Sequence, residues 1–388
     1  MDSKLLNISQ SISVSFADYV RRLEAEGRAL IKMQTGDPDF PTHEAVIKKA
    51  QEAITGGQTK YCDSRGLLVL REALAEKLRE KNNITADPLR EILVTHGAVH
   101  GIGLVIRALV EPGDEVILCE PFWRVYRADI VLAGAIPVTI RLDGEKGFQL
   151  EAEEVLAAIS PKTQAIIINS PNNPSGAVYD KEQLRRLALG AAERGVFLIC
   201  DEVYENILFD DQQHYSPRSD INLAKWIISV FSFSKTHAMT GWRIGYVVAD
   251  GALVDELLKL SQFSVTSLAP FSQIAALAAL TNSEAQAYSE QMLATYEARR
   301  NFIARRSIGS WLEQAITPPS GTFYALVDCR EFGLNSTELA QLIVDRWGVA
   351  FTPGIAFGNS MDGYLRLCFA TSESNIAQAL EALKCLSK

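Results

Sequence analysis

Short apolar segments alternate with helical patterns along most of this chain, and that alternation limits its fold more than any other feature. Strand-like segments lie at 92–95, 115–119, 136–140, 165–169, 197–201, 227–231 and 244–249. Helical patterns occur between them, including 66–83, 100–111, 181–194 and 253–263. Such alternation is typical of an α/β fold with a mostly parallel sheet covered by helices. Because these sheets bind ligands at the carboxyl ends of their strands, polar residues there are the first site candidates.

The pattern changes after about residue 284. A long charged helix at 284–308 precedes shorter segments at 322–328, 337–347, 349–352, 364–369 and 372–386. These segments predict a smaller α+β domain that the N-terminal residues complete. We therefore predict a large domain at 45–283 and a small domain formed by 1–44 and 284–388.

Composition and charge exclude several classes of protein. The net charge of -9 argues against nucleic acid or an anionic membrane as a partner, because both need a basic surface. The uncharged stretch 260–283 contains Pro270 and polar side chains that are costly in hydrocarbon. It predicts two helices meeting near Pro270, buried inside the protein or at an interface. Residues 1–6 contain no apolar signal segment, so we expect a cytoplasmic protein.

The cysteines and histidines do not form a metal-binding pattern. Six cysteines are present without C-x-x-C spacing, and Cys119, Cys200 and Cys368 each end an apolar run. Buried free thiols are therefore expected in place of disulfides or zinc ligands. The histidines have no ligand spacing to one another, so no metal is predicted.

One lysine stands out in the segment 232–245, which reads SFSKTHAMTGWRIG. Lys235 lies between hydroxyl side chains, and Arg243 follows eight residues later. This layout suits an imine to an aldehyde cofactor whose phosphate needs hydroxyl and guanidinium partners. A lysine at a strand end followed by a surface loop would look similar, so the motif is weak by itself.

Three further strand ends carry related signals. The turn 95–99 opens a helix and can bind an anion through free N–H groups and the helix dipole. The loop 169–176 has two X-Pro steps that can hold the Asn173 amide rigidly. Asp201 follows an apolar strand, and Tyr204 comes three residues later. Taken one at a time, these signals could be only a tight turn, a plain loop and a helix cap. Their occurrence together in this order, with the Lys235 segment, is far more specific for a cofactor site.

In this order the motifs resemble the fold type I, pyridoxal-5'-phosphate-dependent aminotransferases of class I/II, over nearly the whole chain. Residues 36–40 (GDPDF) are similar to the G-x-P-D-F entry segment of that family. The stretch from Tyr61 through Gly66 to Arg71 resembles its Y-x-x-x-x-G-x-x-x-L-R pattern. Residues 364–370 (YLRLCFA) resemble its carboxylate-binding arginine strand.

The resemblance assigns cofactor roles. Lys235 would be the Schiff-base lysine and the base that moves the α-proton, and Asp201 would pair with the pyridinium nitrogen. Asn173 and Tyr204 would hydrogen-bond the ring's phenolic oxygen. Trp123 would stack on the cofactor ring, and Tyr61 would reach the phosphate of the neighbouring subunit. The phosphate ligands within the subunit would be Gly97, Ala98, Val99, Ser232, Ser234 and Arg243.

The resemblance also implies a substrate site and a homodimer with active sites at the subunit boundary. Arg366 would clamp the substrate α-carboxylate, with Gly36 and Asn173 nearby. Bacterial aspartate aminotransferases of one branch commonly carry a lysine where this chain has Val99. Aspartate is therefore disfavoured as the preferred substrate, although Arg124 or Arg127 could supply another cation. Aromatic residues in the region (Phe16, Phe122 and Tyr126) would suit an apolar or aromatic substrate, although such residues are more often core.

The predicted activity is transfer of an amino group between an L-amino acid and a 2-oxo acid by a ping-pong mechanism. A lyase, a cyclase or an oxidase built on the same fold is the alternative, because the cofactor site alone does not decide the outcome. A transcriptional regulator of this fold is disfavoured, because it would need a basic DNA-binding domain in front, and here the predicted fold starts within the first few dozen residues. A nicotinamide-binding protein is disfavoured because no G-x-G-x-x-G follows the early strands.

Overall fold

The structure, a computed structural model, describes residues 12–386. Residues 1–11 lie outside the described residues. They include the start of the predicted small domain and the segment 1–6, in which no signal segment was expected. The strands are β1 (Ile31–Lys32), β2 (Ile92–Thr95), β3 (Glu115–Glu120), β4 (Ile136–Arg141), β5 (Thr163–Asn169), β6 (Phe197–Asp201), β7 (Ile227–Ser232), β8 (Gly245–Val248), β9 (Tyr324–Asp328), β10 (Val349–Ala350), β11 (Thr352–Pro353) and β12 (Tyr364–Cys368).

The helices cover these strands. They are α1 (Ile12–Ala25), α2 (Glu44–Thr55), α3 (Leu68–Asn82), α4 (Gly97–Leu109), α5 (Val125–Ala133), α6 (Ala152–Ala157), α7 (Lys181–Glu193), α8 (Gly251–Ser264), α9 (Pro270–Thr281), α10 (Ser283–Ser307), α11 (Leu312–Ala315), α12 (Ser336–Trp347) and α13 (Glu373–Lys384). As predicted for the stretch around Pro270, α8 ends and α9 begins there, with the proline in the first turn of α9, where its missing N–H costs nothing. No helix within residues 12–386 is long and apolar enough to cross a membrane.

The main sheet has seven strands in the order β2-β8-β7-β6-β5-β3-β4. All neighbours are parallel except β8, which is antiparallel to both β2 and β7. The predicted α/β fold with a mostly parallel sheet is confirmed. Strands such as β5 are buried on both faces, which is why they read as continuous apolar runs. On β5, Ile166 and Ile168 pack with α6 and α7, whereas Ala165 and Ile167 pack with α4, α5 and α8.

The remaining strands form two small sheets. β11, β12 and β9 make an antiparallel sheet, and β1 pairs in parallel with β10. One apolar core joins α1 to α10, α12 and α13, so N-terminal and C-terminal segments pack together. This packing is what the predicted small domain requires, but the domain boundaries stay predictions. The single strand predicted at 349–352 is instead two short strands, β10 and β11.

The strand register brings the candidate residues together. Asn169 at the end of β5 lies beside Asp201 at the end of β6, and Asp201 lies beside Val230 of β7. Ser232 ends β7 opposite Gly245 of β8, which also pairs with Thr95 of β2. The strand ends that carry the sequence signals therefore meet at one edge of the sheet.

Candidate active site

A cavity of about 630 Å³ lies at this edge of the sheet. Twelve predicted site residues line it: Gly36, Ala98, Val99, Trp123, Asn173, Asp201, Tyr204, Ser232, Ser234, Lys235, Arg243 and Arg366. Gly97 lies directly before Ala98 and packs against Arg243. Tyr61 does not line the cavity, and 86% of its surface is exposed. One fold region thus brings together nearly all the predicted residues from segments far apart in the chain.

Lys235 follows β7, and its Nζ donates a hydrogen bond to the backbone oxygen of Gly36 at 2.7 Å. Burial, helped by the charges of Arg366 and Arg243 and opposed by Asp37, lowers the pKa of Lys235 from 10.5 to about 8. Burial has this effect because it disfavours the charged ammonium form. Lys235 is therefore closer to a neutral, nucleophilic amine at neutral pH than an exposed lysine is.

Asp201 is almost fully buried, with 2% of its surface exposed. Its Oδ2 accepts a hydrogen bond from the Tyr126 hydroxyl at 2.5 Å, and its Oδ1 accepts one from the Val203 N–H at 3.2 Å. Burial raises the pKa of Asp201 to about 6, although the Tyr126 hydrogen bond lowers it. A carboxylate in this position favours a cationic N–H partner in the cavity. From the sequence, Tyr126 was expected to be a substrate contact or a core residue, and no local pattern indicates its hydrogen bond to Asp201.

One end of the cavity has the features of an anion site. Gly97 begins α4 with a φ of +71°, and a Cβ atom there would lie 2.6 Å from the Arg243 guanidinium. Ser232 and Ser234 hydroxyls lie 2.9 Å apart beside this helix end. The free N–H groups of a helix N-terminus, two hydroxyls and a guanidinium together form a favourable site for a phosphate.

Arg366 on β12 occupies another part of the cavity. Its Nη1 donates to Asn173 Oδ1 at 3.1 Å, and its Nη2 donates to the Gln34 backbone oxygen at 2.8 Å and to Thr352 Oγ1 at 3.2 Å. Its guanidinium lies 4.2 Å from the centre of the Tyr324 ring. Arg366 Nε is buried without a hydrogen-bond partner among the described residues. The side chain is thus held in place with a donor still available.

Asn173, Tyr204 and several unpredicted residues form the surroundings of Arg366. Asn173 uses its side-chain oxygen for Arg366, which leaves its amide nitrogen as the donor predicted for the cofactor ring. The Tyr204 hydroxyl lies 3.0 Å from the Tyr324 hydroxyl. Gln34, Thr352 and Tyr324 were not predicted from the sequence, and only the GDPDF motif that follows Gln34 closely gives any signal for it.

These features fit the group that the resemblance implies. A phosphate fits the anion site at Gly97 and Arg243, a pyridinium nitrogen fits the buried Asp201 carboxylate, and an aldehyde fits the Lys235 amine. The unpartnered Nε of Arg366 fits a carboxylate. Each charged or reactive part of pyridoxal phosphate and of an amino acid therefore has a suitable side chain here.

Comparison with known proteins gives a consistent result. Residues 28–383 match the model of the family "Aminotransferase class I and II". The aspartate/prephenate aminotransferase of Thermus thermophilus is 38% identical over 372 residues, which cover 96% of this chain and 94% of that protein. Aromatic-amino-acid aminotransferase 2 of Thermococcus litoralis is 35% identical over 92% of this chain and 91% of that protein. The solved structure of aspartate aminotransferase from Thermus thermophilus with maleate has a TM-score of 0.93 at 35% identity, covering 99% of this chain and 98% of that one.

Proposed function

The chain belongs to the class I and II aminotransferases, which use pyridoxal phosphate, and we propose that it moves an amino group between an L-amino acid and a 2-oxo acid in a ping-pong cycle. The observation that carries this proposal is the meeting of Lys235, Asp201 and Arg366 around one cavity. An amine nucleophile, a carboxylate for a pyridinium and a guanidinium for a carboxylate are the three parts that such a transfer needs.

The anchoring residues position the cofactor and the substrate. Arg243, the serine hydroxyls and the N–H groups at the start of α4 bind the phosphate. Trp123 provides an aromatic face for the ring, and the Asn173 amide and the Tyr204 hydroxyl hydrogen-bond the ring oxygen. Arg366 binds the substrate α-carboxylate. These contacts hold the substrate's α-carbon near the Lys235 amine, and positioning of this kind lowers the entropic part of the barrier.

Proton transfer is the task of Lys235 and Asp201. When bound, pyridoxal phosphate supplies an aldehyde that captures amines and a ring that withdraws electrons from the α-carbon. Asp201 keeps the ring nitrogen protonated through a buried ion pair. The Lys235 Nζ removes the proton from the α-carbon and returns it, and positioned transfers of this kind contribute roughly 10²–10⁴-fold. A lysine whose pKa lies at about 8 is well suited to both directions of transfer.

The relatives are named for different substrates. Their names include aspartate, prephenate and aromatic amino acids. The prediction that aspartate is disfavoured rested on Val99 and is not confirmed, because two of the proteins described above are aspartate aminotransferases by name. The homodimer also remains a proposal, which the exposed aromatic side chain of Tyr61 supports.

Mixing the purified, cofactor-loaded enzyme with single amino acids tests the proposed activity. We expect stoichiometric loss of the cofactor's aldehyde absorbance and its recovery when a 2-oxo acid is added. Release of ammonia without that recovery would instead indicate a lyase or an oxidase. Lys235→Ala should abolish the conversion, whereas Lys259→Ala, which removes an exposed lysine outside the cavity, should leave it unchanged.

A further inference from the structure

Arg124 is a cation of the cavity for which the proposed mechanism has no use. It directly follows Trp123, forms the N-cap of α5 and lines the cavity with a partly buried side chain. Among the described residues it has no hydrogen-bond or ion-pair partner. The nearby Glu120 carboxylate instead accepts a hydrogen bond from the Ser360 N–H at 2.6 Å. A guanidinium stays charged even when partly buried, so this position favours an anionic ligand.

The other cations of the cavity already have partners or assigned anions. Two lie near α1 and pair with acidic side chains there: Arg21 with Asp18, and Lys32 with Glu24. Arg243 belongs to the phosphate site, Arg366 to the α-carboxylate site, and Lys235 is the reactive amine. When these anions are bound, Arg124 is the guanidinium of the cavity that still lacks one.

We propose that Arg124 binds the second carboxylate of a dicarboxylic amino acid of the aspartate and glutamate type, and of the matching oxo acid. The proposal rests on the proposed aminotransferase function and names its substrate class. Arg124 and Val99 line the same cavity, from the packed helices α5 and α4. The cation missing at position 99 is thus supplied from the neighbouring helix. Arg127, the other candidate from the sequence, is exposed and does not line the cavity.

Binding of unreactive acids to the cofactor-loaded enzyme tests the proposal without turnover. Succinate has carboxylates at both ends of four carbons, whereas butyrate has the same length and one carboxylate. We expect Arg124→Leu to raise the Kd of succinate roughly 10- to 100-fold, the range for a hydrogen bond to a charged group. The Kd of butyrate should stay unchanged. Arg127→Leu is the matched control and should change neither value.

A second measurement uses the substrates. In single half-reactions followed by cofactor absorbance, Arg124→Leu should slow conversion with aspartate by a similar factor and leave conversion with alanine unchanged. Arg124→Lys should recover part of the loss, because it keeps the charge without the planar guanidinium.

Several results would overturn the assignment. An unchanged Kd for succinate would show that Arg124 does not contact the ligand. Equal weakening of succinate and butyrate, or the same effect from Arg127→Leu, would show a general electrostatic or structural role. If Arg124→Leu loses the cofactor, Arg124→Lys and Arg124→Gln decide by the same comparison of the two acids. Failure of the aminotransferase proposal is distinct, because the wild type would then not recover its aldehyde absorbance when a 2-oxo acid is added.

Discussion

The buried carboxylate of Asp201 allows a quantitative prediction for the cofactor-free enzyme. Burial raises its pKa from 3.8 to about 6, a shift of roughly two units that corresponds to about 3 kcal/mol at 1.36 kcal/mol per unit. Ionising Asp201 in the folded protein therefore costs about that much relative to the unfolded chain. Asp201→Asn removes this cost, because an amide has a similar shape and does not ionise.

The direction of the pH dependence follows from the raised pKa. As the pH increases from 4, the unfolded chain releases the Asp201 proton before the folded protein does, so the wild type loses stability up to pH 6. At pH 6 the folded carboxyl is about half ionised, and by pH 8 both states are ionised and the loss is complete. The free energy of unfolding of Asp201→Asn minus that of wild type should therefore increase by about 2.5 kcal/mol between pH 4 and pH 8, because about 0.5 kcal/mol of the loss has already occurred at pH 4, where the unfolded carboxyl is more than half ionised.

Urea unfolding of both cofactor-free proteins across this pH range, followed by circular dichroism, measures the difference. Asp211→Asn is a matched control, because it makes the same change at an exposed side chain. A difference that stays flat for Asp201→Asn, or that grows toward acid pH, would refute the reasoning.

In the loaded enzyme, Asp201→Ala should reduce turnover by roughly 10²–10³-fold, as for loss of a preorganised electrostatic group, and weaken cofactor binding far less. Comparable losses in both would contradict its role at the ring nitrogen.

Three further predictions concern cofactor binding. The rate at which cofactor-free enzyme captures pyridoxal phosphate on Lys235 should rise about tenfold per pH unit up to about pH 8 and then level off, because only the neutral amine reacts. Absorbance kinetics with borohydride fixation measure this rate, and a rate independent of pH would contradict the prediction. Gly97→Ala should raise the Kd of pyridoxal phosphate at least tenfold without affecting unphosphorylated pyridoxal, since its Cβ would crowd Arg243; an equal change for both ligands would place the damage elsewhere. Sedimentation of the wild type should show a dimer. Tyr61→Phe should keep the dimer mass and weaken cofactor binding by roughly tenfold, which is the effect of losing one hydrogen bond to a phosphate. An active wild-type monomer would exclude a site shared between subunits.

The sequence predicted the main sheet well because buried parallel strands need apolar residues on both faces. The segments 165–169 and 197–201 therefore stood out without any knowledge of their neighbours. Helix α5 was not predicted, because its N-cap residue, Arg124, makes no side-chain cap bond and so gives no start signal. The helix predicted at 100–111 begins three residues earlier, at Gly97. Its first turn is the backbone of the predicted anion site, which has no apolar periodicity.

The candidate site, like the fold, was predictable only in part. Residues at strand ends were predictable because parallel register places them side by side, as it does for Asn169 and Asp201. Contacts between distant segments were not. Tyr126 and Asp201 are separated by 75 residues, and Arg366 and the backbone of Gln34 by 332. Which tyrosine reaches which carboxylate depends on how helices pack on the sheet, and no spacing in the chain records it.

The prediction about aspartate shows why substrate charge has to be derived from a cavity and not from one position. Val99 suggested that the chain lacks a partner for a second carboxylate. In the folded protein the relevant quantity is the number of unpaired cations around the cavity, and Arg124 adds one from a different helix. Because unpaired buried cations repel each other and are poorly solvated, the cavity favours ligands that bring matching negative charge. If Arg124 binds a second carboxylate as proposed, binding of a dicarboxylic acid should therefore stabilise the fold.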